Sequence, residues 1–452
     1  MTAEESAGVA AWLGGDPAAA VISPQALTEH HEKVESDRFR PSDDDPHAIR
    51  SVGVIGGGTA GYMTALGLKA KRPWLDVTLV ESRDIPIIGV GEATVSYLVT
   101  FLHHFLDIDP AELYRKVQPT WKFGIKFEWG PDPDGFMATF DWNHHSIGAL
   151  GALEAENTVN GFTAQSLMMM ADRTPIYEID GTYVSLMKYL PFAYHLDNAR
   201  FVGFLAELAA ERGVNHVEAR LAEVVLSADE WVDHVRASDG RELRYDFYVD
   251  CTGFRSMLLG ATLGTSFISY QDSLFTDSAV TGNLGHGGHL KPYTTATTMD
   301  AGWCWTIPTP ESDHLGYVYS SSALSDDDAA HELTEKFPGV EGLRQVRFRS
   351  GRHEKAWRGN VMAIGNSYAF VEPLESTGLL MAALGVQALT DVLPASWSDT
   401  HLREVVNAGL GRRWDAVRWF LSVHYKFNTR CDTPFWKDVR EHCDISGFRP
   451  LL

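Results

Sequence analysis

The sequence predicts an α/β fold built around a βαβ unit, and three apolar segments carry this prediction. The first is SVGVI, from Ser51 to Ile55, which is followed by the glycine-rich turn GGGTAG and a helical pattern of apolar residues. The second is DVTLVES, from Asp76 to Ser82. The third is LRYDFYVDCTGFRS, from Leu243 to Ser256, which is typical of a buried strand that ends in a turn of small residues. Although it lies far along the chain, we expect it to return to the sheet of the first two.

The glycine-rich turn has the spacing of a dinucleotide-binding fingerprint. Gly56, Gly58 and Gly61 form its G-x-G-x-x-G pattern, and Glu81 follows at the end of the second strand. In such a motif the first glycine makes the turn, the second admits a pyrophosphate, the third lets helix and strand pack, and the acid accepts from a ribose hydroxyl. The spacing predicts a bound dinucleotide, although an unliganded turn has the same pattern. The motif does not separate FAD from NAD, but a domain assembled from distant segments is typical of flavoproteins.

Composition excludes several classes of function. The chain has 452 residues, is 44% hydrophobic and carries a net charge of −22. It is typical of a globular protein with a large core, and the charge argues against binding nucleic acid or an anionic membrane. No stretch approaches the roughly 18 apolar residues of a membrane span, and the acidic start MTAEES argues against secretion. The four cysteines lack zinc or disulfide spacing, so we expect no metal site and reduced thiols in a cytoplasm.

The segment PTWKFGIKFEWG alternates apolar and polar residues. Trp121, Phe123, Ile125, Phe127 and Trp129 occupy every second position. This period predicts one strand with an apolar face, with Lys122 and Lys126 sharing the other face. A solvated face is the simple interpretation. Gly124, between the lysines, often marks the close approach of another group.

The segment FVEPLESTGLL places Glu372 and Glu375 before an apolar run that predicts a helix. Ser376 and Thr377 lie at the expected helix start, where unpaired N–H groups and the helix dipole attract anions. Gly378 would let an anion come close to the main chain. An ordinary helix cap is the alternative interpretation.

Six motifs together point to one family: GGGTAG at 56–61, VGEAT at 90–94, WKFGIKF at 121–127, WCWTIP at 303–308, FVEPLESTG at 370–378 and DTPFW at 432–436. The chain resembles the flavin-dependent halogenases, specifically the tryptophan halogenase branch, from about Ser51 to about Cys443. The lysine segment and the W-x-W-x-I-P motif are more specific than the glycine loop. The resemblance implies a GR2-like FAD-binding domain of the flavin monooxygenase type, with an interleaved substrate-binding region and a helical C-terminal part.

The resemblance also implies cofactors and partners. Enzymes of this kind receive FADH2 from a separate NAD(P)H-dependent flavin reductase. They use O2 and chloride or bromide to form hypohalous acid, which passes through a tunnel to a lysine that matches Lys122. The expected FAD-binding residues are Gly56, Gly58, Gly61, Glu81 and Gly365.

Further roles follow from the same resemblance. Glu375 matches the catalytic carboxylate that acts on the cationic ring intermediate, and Thr377 and Gly378 match the halide-binding backbone. The segment AGWCWTIPTP, from Ala301, predicts a short strand with Trp303 and Trp305 on one face. Trp303 and Trp305 match the pair that keeps substrate away from the flavin, although two such indoles are more often core residues. Phe435 and Trp436 match aromatic residues that stack against an indole.

The chain is expected to have three regions. Residues 1–48 form a polar N-terminal extension, residues 49–400 form the FAD-binding domain with substrate-region insertions at about 95–200, and residues 401–452 form a helical segment that completes the substrate pocket. Within that segment a helix over 407–430 is expected to bury Leu410, Trp414, Val417, Phe420 and Leu421. Free-tryptophan enzymes continue with further helices after DTPFW, so a more open site for an indole in a peptide or polycyclic scaffold is expected. Alternatively, the extension covers the site. Residues 148–175 are expected to form the substrate wall.

The expected function is chlorination or bromination of an electron-rich aromatic substrate, above all an indole or tryptophan, in secondary metabolism such as antibiotic biosynthesis. A flavin-dependent aromatic hydroxylase is one alternative, and the tryptophan pair speaks against it. A non-catalytic flavin-binding partner in a biosynthetic assembly is another. Small-molecule and peptide substrates, a homodimer and a cytoplasmic location are also expected, with neither nucleic acid nor membrane as a partner.

Overall fold

The structure, a computed structural model, describes residues 40–85, 91–140, 163–185, 187–397 and 401–448. Its nucleotide-binding layer is a six-stranded sheet, with strands numbered here in chain order. The order across the sheet is β10 (Asn215–Glu218), β2 (Asp76–Glu81), β1 (Ser51–Ile55), β14 (Phe247–Asp250), β23 (Val361–Ala363) and β22 (Trp357–Arg358). All neighbours pair in parallel except β22 and β23. The predicted return of the third segment is confirmed, because β14 lies beside β1 with Ile55 opposite Asp250.

The helix Thr59–Lys71 follows β1 and packs between the helices Asn198–Glu211 and Gly378–Val392. It is buried on most of its surface, which explains why its apolar residues form no single stripe. Gly67 permits the close approach, since a methyl group there would lie 2.5 Å from Cγ1 of Val386. The helix that follows the fingerprint turn therefore packs closely against the helix Gly378–Val392.

A second, seven-stranded sheet forms the other main layer. Its order is β20 (Glu341–Arg347), β16 (Ser278–Leu284), β19 (Asp313–Tyr319), β18 (Gly302–Pro308), β17 (Thr294–Met299), β5 (Gly124–Glu128) and β6 (Phe136–Thr139). Neighbours pair antiparallel except β5 with β17. Five of these strands come from residues 278–347, outside the stretch of about 95–200 where insertions were expected. Of these five, the sequence pattern predicted only β18.

Four smaller sheets complete the strands of the described part of the chain. They contain β3 (Glu92–Ala93), β9 (Ala193–Leu196) and β4 (Thr120–Lys122); β11 (Leu221–Leu226), β12 (Val232–Ala237) and β13 (Glu242–Leu243); β15 (Phe267–Ser269), β21 (Gly351–His353) and β24 (Ala369–Phe370); and the hairpin β7 (Ile176–Ile179) with β8 (Thr182–Ser185). The remaining α-helices of these residues are Ser96–Thr100, Pro110–Lys116, Ala164–Met170, Asp326–Lys336, Leu402–Phe427 and Pro434–His442.

The prediction of one strand through the lysine segment is wrong. The segment forms β4 and β5, which belong to different sheets and are separated at Phe123. Lys122 is completely buried, whereas Lys126 is partly exposed and lies 3.7 Å from the carboxylate of Glu128, so the two lysines do not share an environment. The close approach expected at Gly124 is confirmed, because a methyl group there would lie 2.2 Å from the carbonyl oxygen of Ala138.

The predicted C-terminal helix is confirmed with different bounds, since it begins at Leu402 and ends at Phe427. Leu410, Trp414 and Leu421 are buried as expected, but Phe420 is 46% exposed, which corrects its assignment to the apolar side. At about 100° per residue, Phe420 is rotated roughly 80° from the stripe that starts at Leu410. Its ring therefore points away from the core.

One continuous hydrophobic core connects the two large sheets, and a smaller cluster contains Phe123, Met137, Met169 and Tyr293. In the described part of the chain, no helix has the length and apolar character that a membrane span requires. Of the N-terminal extension the described residues include only 40–48, and of the expected substrate wall only 163–175.

Candidate active site

The three fingerprint glycines occupy distinct environments. Gly56 has φ +122°, and a methyl group there would lie 2.2 Å from the carbonyl oxygen of Cys251. A methyl group at Gly61 would lie 1.9 Å from the carbonyl oxygen of Gly56. At Gly58, by contrast, it would meet no described atom within 4 Å. The first and third glycines are thus required by the turn and by packing, while the second borders open space suited to a pyrophosphate.

Glu81 ends β2 beside this turn. Its Oε1 accepts a hydrogen bond from the Tyr62 hydroxyl at 2.8 Å and lies 2.7 Å from Nε2 of His216. Gly57, which the fingerprint pattern did not single out, makes room for this carboxylate, because a methyl group at Gly57 would lie 1.5 Å from Oε2 of Glu81. The signal for Gly57 was the unbroken run GGG, in which Gly57 is the middle residue, but its purpose depends on Glu81 of the neighbouring strand β2.

A cavity of about 600 Å³ connects the fingerprint to the helix Gly378–Val392. Its wall includes Gly56, Gly58 and Glu81 at one part, Gly365 and Trp305 elsewhere, and Ser376 and Gly378 near the helix start. Gly365 has φ +69°, a left-handed conformation that favours glycine. The glycine turn, the acid and the cavity fit a dinucleotide such as FAD.

Lys122 lies behind the cavity wall. Its side chain is completely buried, its Nζ donates to Oγ of Ser376 at 2.6 Å, and the ring of Phe140 lies 5.6 Å from Nζ. Burial lowers the pKa of Lys122 to about 7, and the nearby charge of Glu375 opposes this shift. Ser376 itself lines the cavity, so the amine is one side chain away from it.

Ser376 is a partner of the buried Lys122 that the sequence interpretation did not identify. It has φ +58°, an uncommon conformation for a residue other than glycine, and it is buried. Such backbone strain persists only where the surroundings enforce it and is frequent at functional sites. Here it accompanies the approach of the Ser376 hydroxyl to the buried lysine.

Glu375 and Glu372 have different partners although they are three residues apart. Glu375 is nearly buried, and its Oε1 lies 2.8 Å from Nε2 of His424 on the long C-terminal helix. Glu372 is completely buried and accepts hydrogen bonds from the Trp303 indole N–H at 3.1 Å and from the hydroxyls of Thr276 and Tyr425. Burial raises the pKa of Glu372. Neither His424 nor the partners of Glu372 could be identified from the local pattern.

Trp303 and Trp305 lie on one face of β18, as predicted, with ring centroids 6.1 Å apart. Both are almost completely buried, and Trp305 contributes to the cavity wall. Gly316 on the adjacent strand makes room for the second indole, because a methyl group there would lie 2.0 Å from the Trp305 ring. The pair therefore forms a fixed aromatic wall.

Phe435 and Trp436 lie in the first turn of the helix Pro434–His442. Trp436 is completely buried, stacks on Tyr425 at 5.6 Å and donates its indole N–H to the carbonyl oxygen of Met299 at 2.7 Å. This packing is that of a core residue and does not support direct stacking of Trp436 on a substrate. Phe435 is 7% exposed and packs edge-on against Trp436, and its expected contact with an indole stays a prediction.

Thr377 is the N-cap of the helix Gly378–Val392, but its side chain does not cap the helix. Among the described residues its buried hydroxyl has no hydrogen-bond partner. A methyl group at Gly378 would meet no described atom within 4 Å, and Gly378 lines the cavity. A helix start, an unpaired buried hydroxyl and open space together are suited to a small anion.

The fold and the site define a flavin-dependent halogenase, an enzyme that halogenates an indole or tryptophan substrate. The family model described as tryptophan halogenase matches residues 51–447, and the chain belongs to this family. Membership implies FAD, a halide and O2, and family members use a separate flavin reductase.

Individual relatives support the assignment. The crystal structure of MibH, described as a lanthipeptide tryptophan 5-halogenase, is 66% identical with a TM-score of 0.88 and covers 91% of this chain and 79% of that chain. Tryptophan 7-halogenase RebH from Lentzea aerocolonigenes is 34% identical over 87% of this chain and 79% of its own length. The structure of tryptophan 6-halogenase SttH from Streptomyces toxytricini is 34% identical with a TM-score of 0.78, over 87% of this chain and 82% of that chain.

Proposed function

We propose that this enzyme halogenates a tryptophan side chain within a peptide, with Lys122 and Glu375 as its catalytic residues. The observation that carries the catalytic part is the completely buried Lys122, whose Nζ donates to Ser376 at the edge of the nucleotide cavity. A buried lysine without a chemical role would be costly to retain. Its hydrogen bond to Ser376 at the cavity wall and its charge interaction with Glu375 support such a role.

The pKa of about 7 supports the proposed chemistry of Lys122. At neutral pH a large fraction of the amine is uncharged and has a lone pair for hypohalous acid or for a haloamine. An exposed lysine with its ordinary pKa near 10.5 would be almost entirely protonated. The surroundings of Lys122 thus favour the reactive form.

FAD is proposed to bind at Gly56, Gly58, Gly61, Glu81 and Gly365. When bound and reduced, it supplies with O2 the oxidant for the halide. Thr377 and Gly378 are proposed to hold that halide, since the unpaired Thr377 hydroxyl and the helix start both favour an anion. A separate NAD(P)H-dependent reductase is proposed as the source of reduced flavin.

Trp303 and Trp305 are proposed to separate the substrate from the flavin. Trp305 borders the cavity, and Trp303 is held by Glu372 on its indole N–H. A direct hydroxylase would need its substrate beside the flavin, and a fixed wall of two indoles opposes that arrangement. This favours halogenation through Lys122.

A peptide substrate is supported by the exposed apolar surface and by the similarity to MibH. Several apolar side chains from Leu167 to Tyr189 are exposed. Large exposed apolar patches usually mark interaction sites. These side chains, here called the apolar surface, are Tyr177, Ile179 and Val184 on one face of the hairpin of β7 and β8, together with Leu167, Met170 and Tyr189. Free tryptophan is too small to cover them, whereas a peptide is not.

The test is a halogenation assay with reduced FAD, a flavin reductase, and bromide or chloride, read by halogen isotope patterns in mass spectrometry. Free tryptophan, indole and tryptophan-containing apolar peptides are compared, and we expect product from the peptides above all. Lys122→Ala should still bind FAD and consume O2 but lose product formation. Lys126→Ala is the matched control on the same segment and should stay active. Equal turnover of Lys122→Ala and the parent would overturn the catalytic assignment of Lys122. A preference for free tryptophan would overturn the proposal that the substrate is a peptide.

A further inference from the structure

His424 contacts Glu375 in a way that restricts where its protons can be. Its Nε2 lies 2.8 Å from Oε1 of Glu375, and its Nδ1 lies 3.0 Å from the carbonyl oxygen of Phe420. The two side chains of the pair are only 12% and 14% exposed. Little water is therefore available to replace either contact.

Both groups that face the imidazole are hydrogen-bond acceptors. A backbone carbonyl can only accept, and so can an ionised carboxylate. A neutral imidazole has one N–H and would leave its other nitrogen lone pair facing an oxygen lone pair. An imidazolium, with both nitrogens protonated, satisfies both contacts at once. With an ionised Glu375 only the imidazolium satisfies both contacts, whereas a neutral imidazole would require a protonated Glu375 that donates to Nε2.

The surroundings suit a positively charged ring in this place. His424 lies on the ring of Phe127 at 5.1 Å with an interplanar angle of 33°, and the Trp129 and Phe420 rings approach at 6.2 and 5.1 Å. Aromatic faces attract cations, more strongly when water is excluded. The charges of the pair also act on other titratable groups, against the larger effect of burial, since His424 lowers the pKa of Glu372 and Glu375 raises the pKa of Lys122.

We propose that His424 is a positioning residue that binds Oε1 of Glu375 as an imidazolium and leaves Oε2 free to receive the proton of the halogenated ring. This inference rests on the proposed catalytic role of Glu375. After the halogen has added to the ring carbon, the C–H bond at that carbon breaks and its electron pair restores the aromatic ring. The proton moves to Oε2, so the carboxylate becomes a carboxylic acid and the charge of the pair rises from zero to +1. The proton then leaves to water with the product.

The pair has a second consequence for Lys122. The bare charge of Glu375 raises the pKa of Lys122 and thus favours its ammonium form. A neutralising imidazolium weakens that attraction. His424 thereby helps to keep the amine of Lys122 uncharged while Glu375 stays available as a base.

The protonation of His424 can be measured without turnover. In protein labelled with ¹⁵N-histidine, the His424 signals are assigned by their loss in His424→Gln. At about pH 8, where exposed histidines are neutral, we expect both His424 nitrogens to have the shifts of protonated imidazole. Glu375→Gln should abolish this state. A His424 nitrogen with the shift of an unprotonated imidazole in the parent protein would overturn the inference, whether or not the enzyme halogenates any substrate.

The kinetic test compares His424→Gln and His424→Phe with His442→Gln, an exposed control on the helix Pro434–His442. Both His424 variants should bind FAD and consume O2 normally but form product about tenfold more slowly or worse. With ring-deuterated tryptophan in the substrate, the variants should show a larger deuterium isotope effect than the parent, because loss of the ring proton becomes slower. Unchanged product formation and an unchanged isotope effect in both variants would overturn the positioning role.

Discussion

The burial of Lys122 predicts that its replacement makes the protein more stable while it removes activity. Lys122→Met keeps the length of the side chain and removes the charge. The step from the ordinary lysine pKa of 10.5 to about 7 corresponds to a cost of about 5 kcal/mol for folding with a protonated Lys122. Loss of its hydrogen bond leaves the buried Ser376 hydroxyl without this partner, which costs about 1–3 kcal/mol. The net gain in the free energy of unfolding is therefore about 2–4 kcal/mol near neutral pH.

The stability difference between Lys122→Met and the parent should depend on pH. Between about pH 7 and 10.5, the unfolded chain has a protonated lysine while folded Lys122 is neutral. The unfolded state then binds more protons, so the stability of the parent rises with pH across this window. The advantage of Lys122→Met is largest at and below pH 7 and shrinks as the pH rises toward 10.5.

Calorimetric unfolding of both proteins at about pH 6.5 and about pH 9.5 measures the effect. For 452 residues at about 2.1 cal/mol/K each, a gain of 3 kcal/mol raises the midpoint by about 3 °C if the chain unfolds in one transition. Lys126→Met is the control, because Lys126 is partly exposed beside Glu128 and should show no such pH-dependent gain. A lower midpoint for Lys122→Met at pH 6.5, or the same shift at both pH values, would refute the reasoning.

Three further predictions concern the cavity. Gly57→Ala should weaken FAD binding at least tenfold without unfolding the protein, because the new methyl group displaces the Glu81 carboxylate; titration of FAD fluorescence measures this. Gly316→Val should move the Trp305 indole and lower the yield of product per O2 consumed, and an unchanged yield would argue against a separating wall. Thr377→Val removes a buried hydroxyl that has no hydrogen-bond partner among the described residues, so the melting temperature should not fall while the KM for halide rises; an unchanged KM would remove the Thr377 side chain from the halide site.

The elements with strong local patterns were predictable from the sequence. β1, β2 and the helix between them follow from an apolar run, a glycine turn and a second apolar run, and β14 follows from its apolar residues alone. Most of the seven-stranded sheet was not predictable. Its strand β17 is built from TTATTM, a run with weak alternation, and although β18 follows it in a short hairpin, its other partner β5 is distant in the chain. Pairing between distant strands is decided by packing that no local window contains.

The lysine segment shows where a periodic pattern misleads. Alternation over Trp121 to Trp129 was real, but it described β5 better than β4. At Phe123 the chain changes sheets, and Lys122 enters the interior instead of the solvent. Only the resemblance to a family assigned a role to Lys122. Its partner Ser376 is 254 positions away, so the contact that connects Lys122 to the cavity wall is not visible in the segment itself.

The two carboxylates of the FVEPLESTG loop differ through their partners and not through their positions. Glu372 meets donors that do not titrate near neutral pH, namely an indole N–H and the hydroxyls of Thr276 and Tyr425, and it is completely buried. These contacts fix Trp303 and connect the aromatic wall to the C-terminal helices, while burial raises the pKa of Glu372 and disfavours its charge.

Glu375 instead meets a titratable partner, His424, and lies close enough to Lys122 for their charges to interact. Glu375 is therefore the carboxylate for which we propose a role in proton transfer, whereas Glu372 holds Trp303 in place. Both partners that decide this difference, Tyr425 for Glu372 and His424 for Glu375, are adjacent residues of the same helix. A shift of that helix would move Trp303 and Glu375 together through these contacts. The distance between the substrate and the Glu375 carboxylate is therefore set by the helix Leu402–Phe427 as well as by the loop.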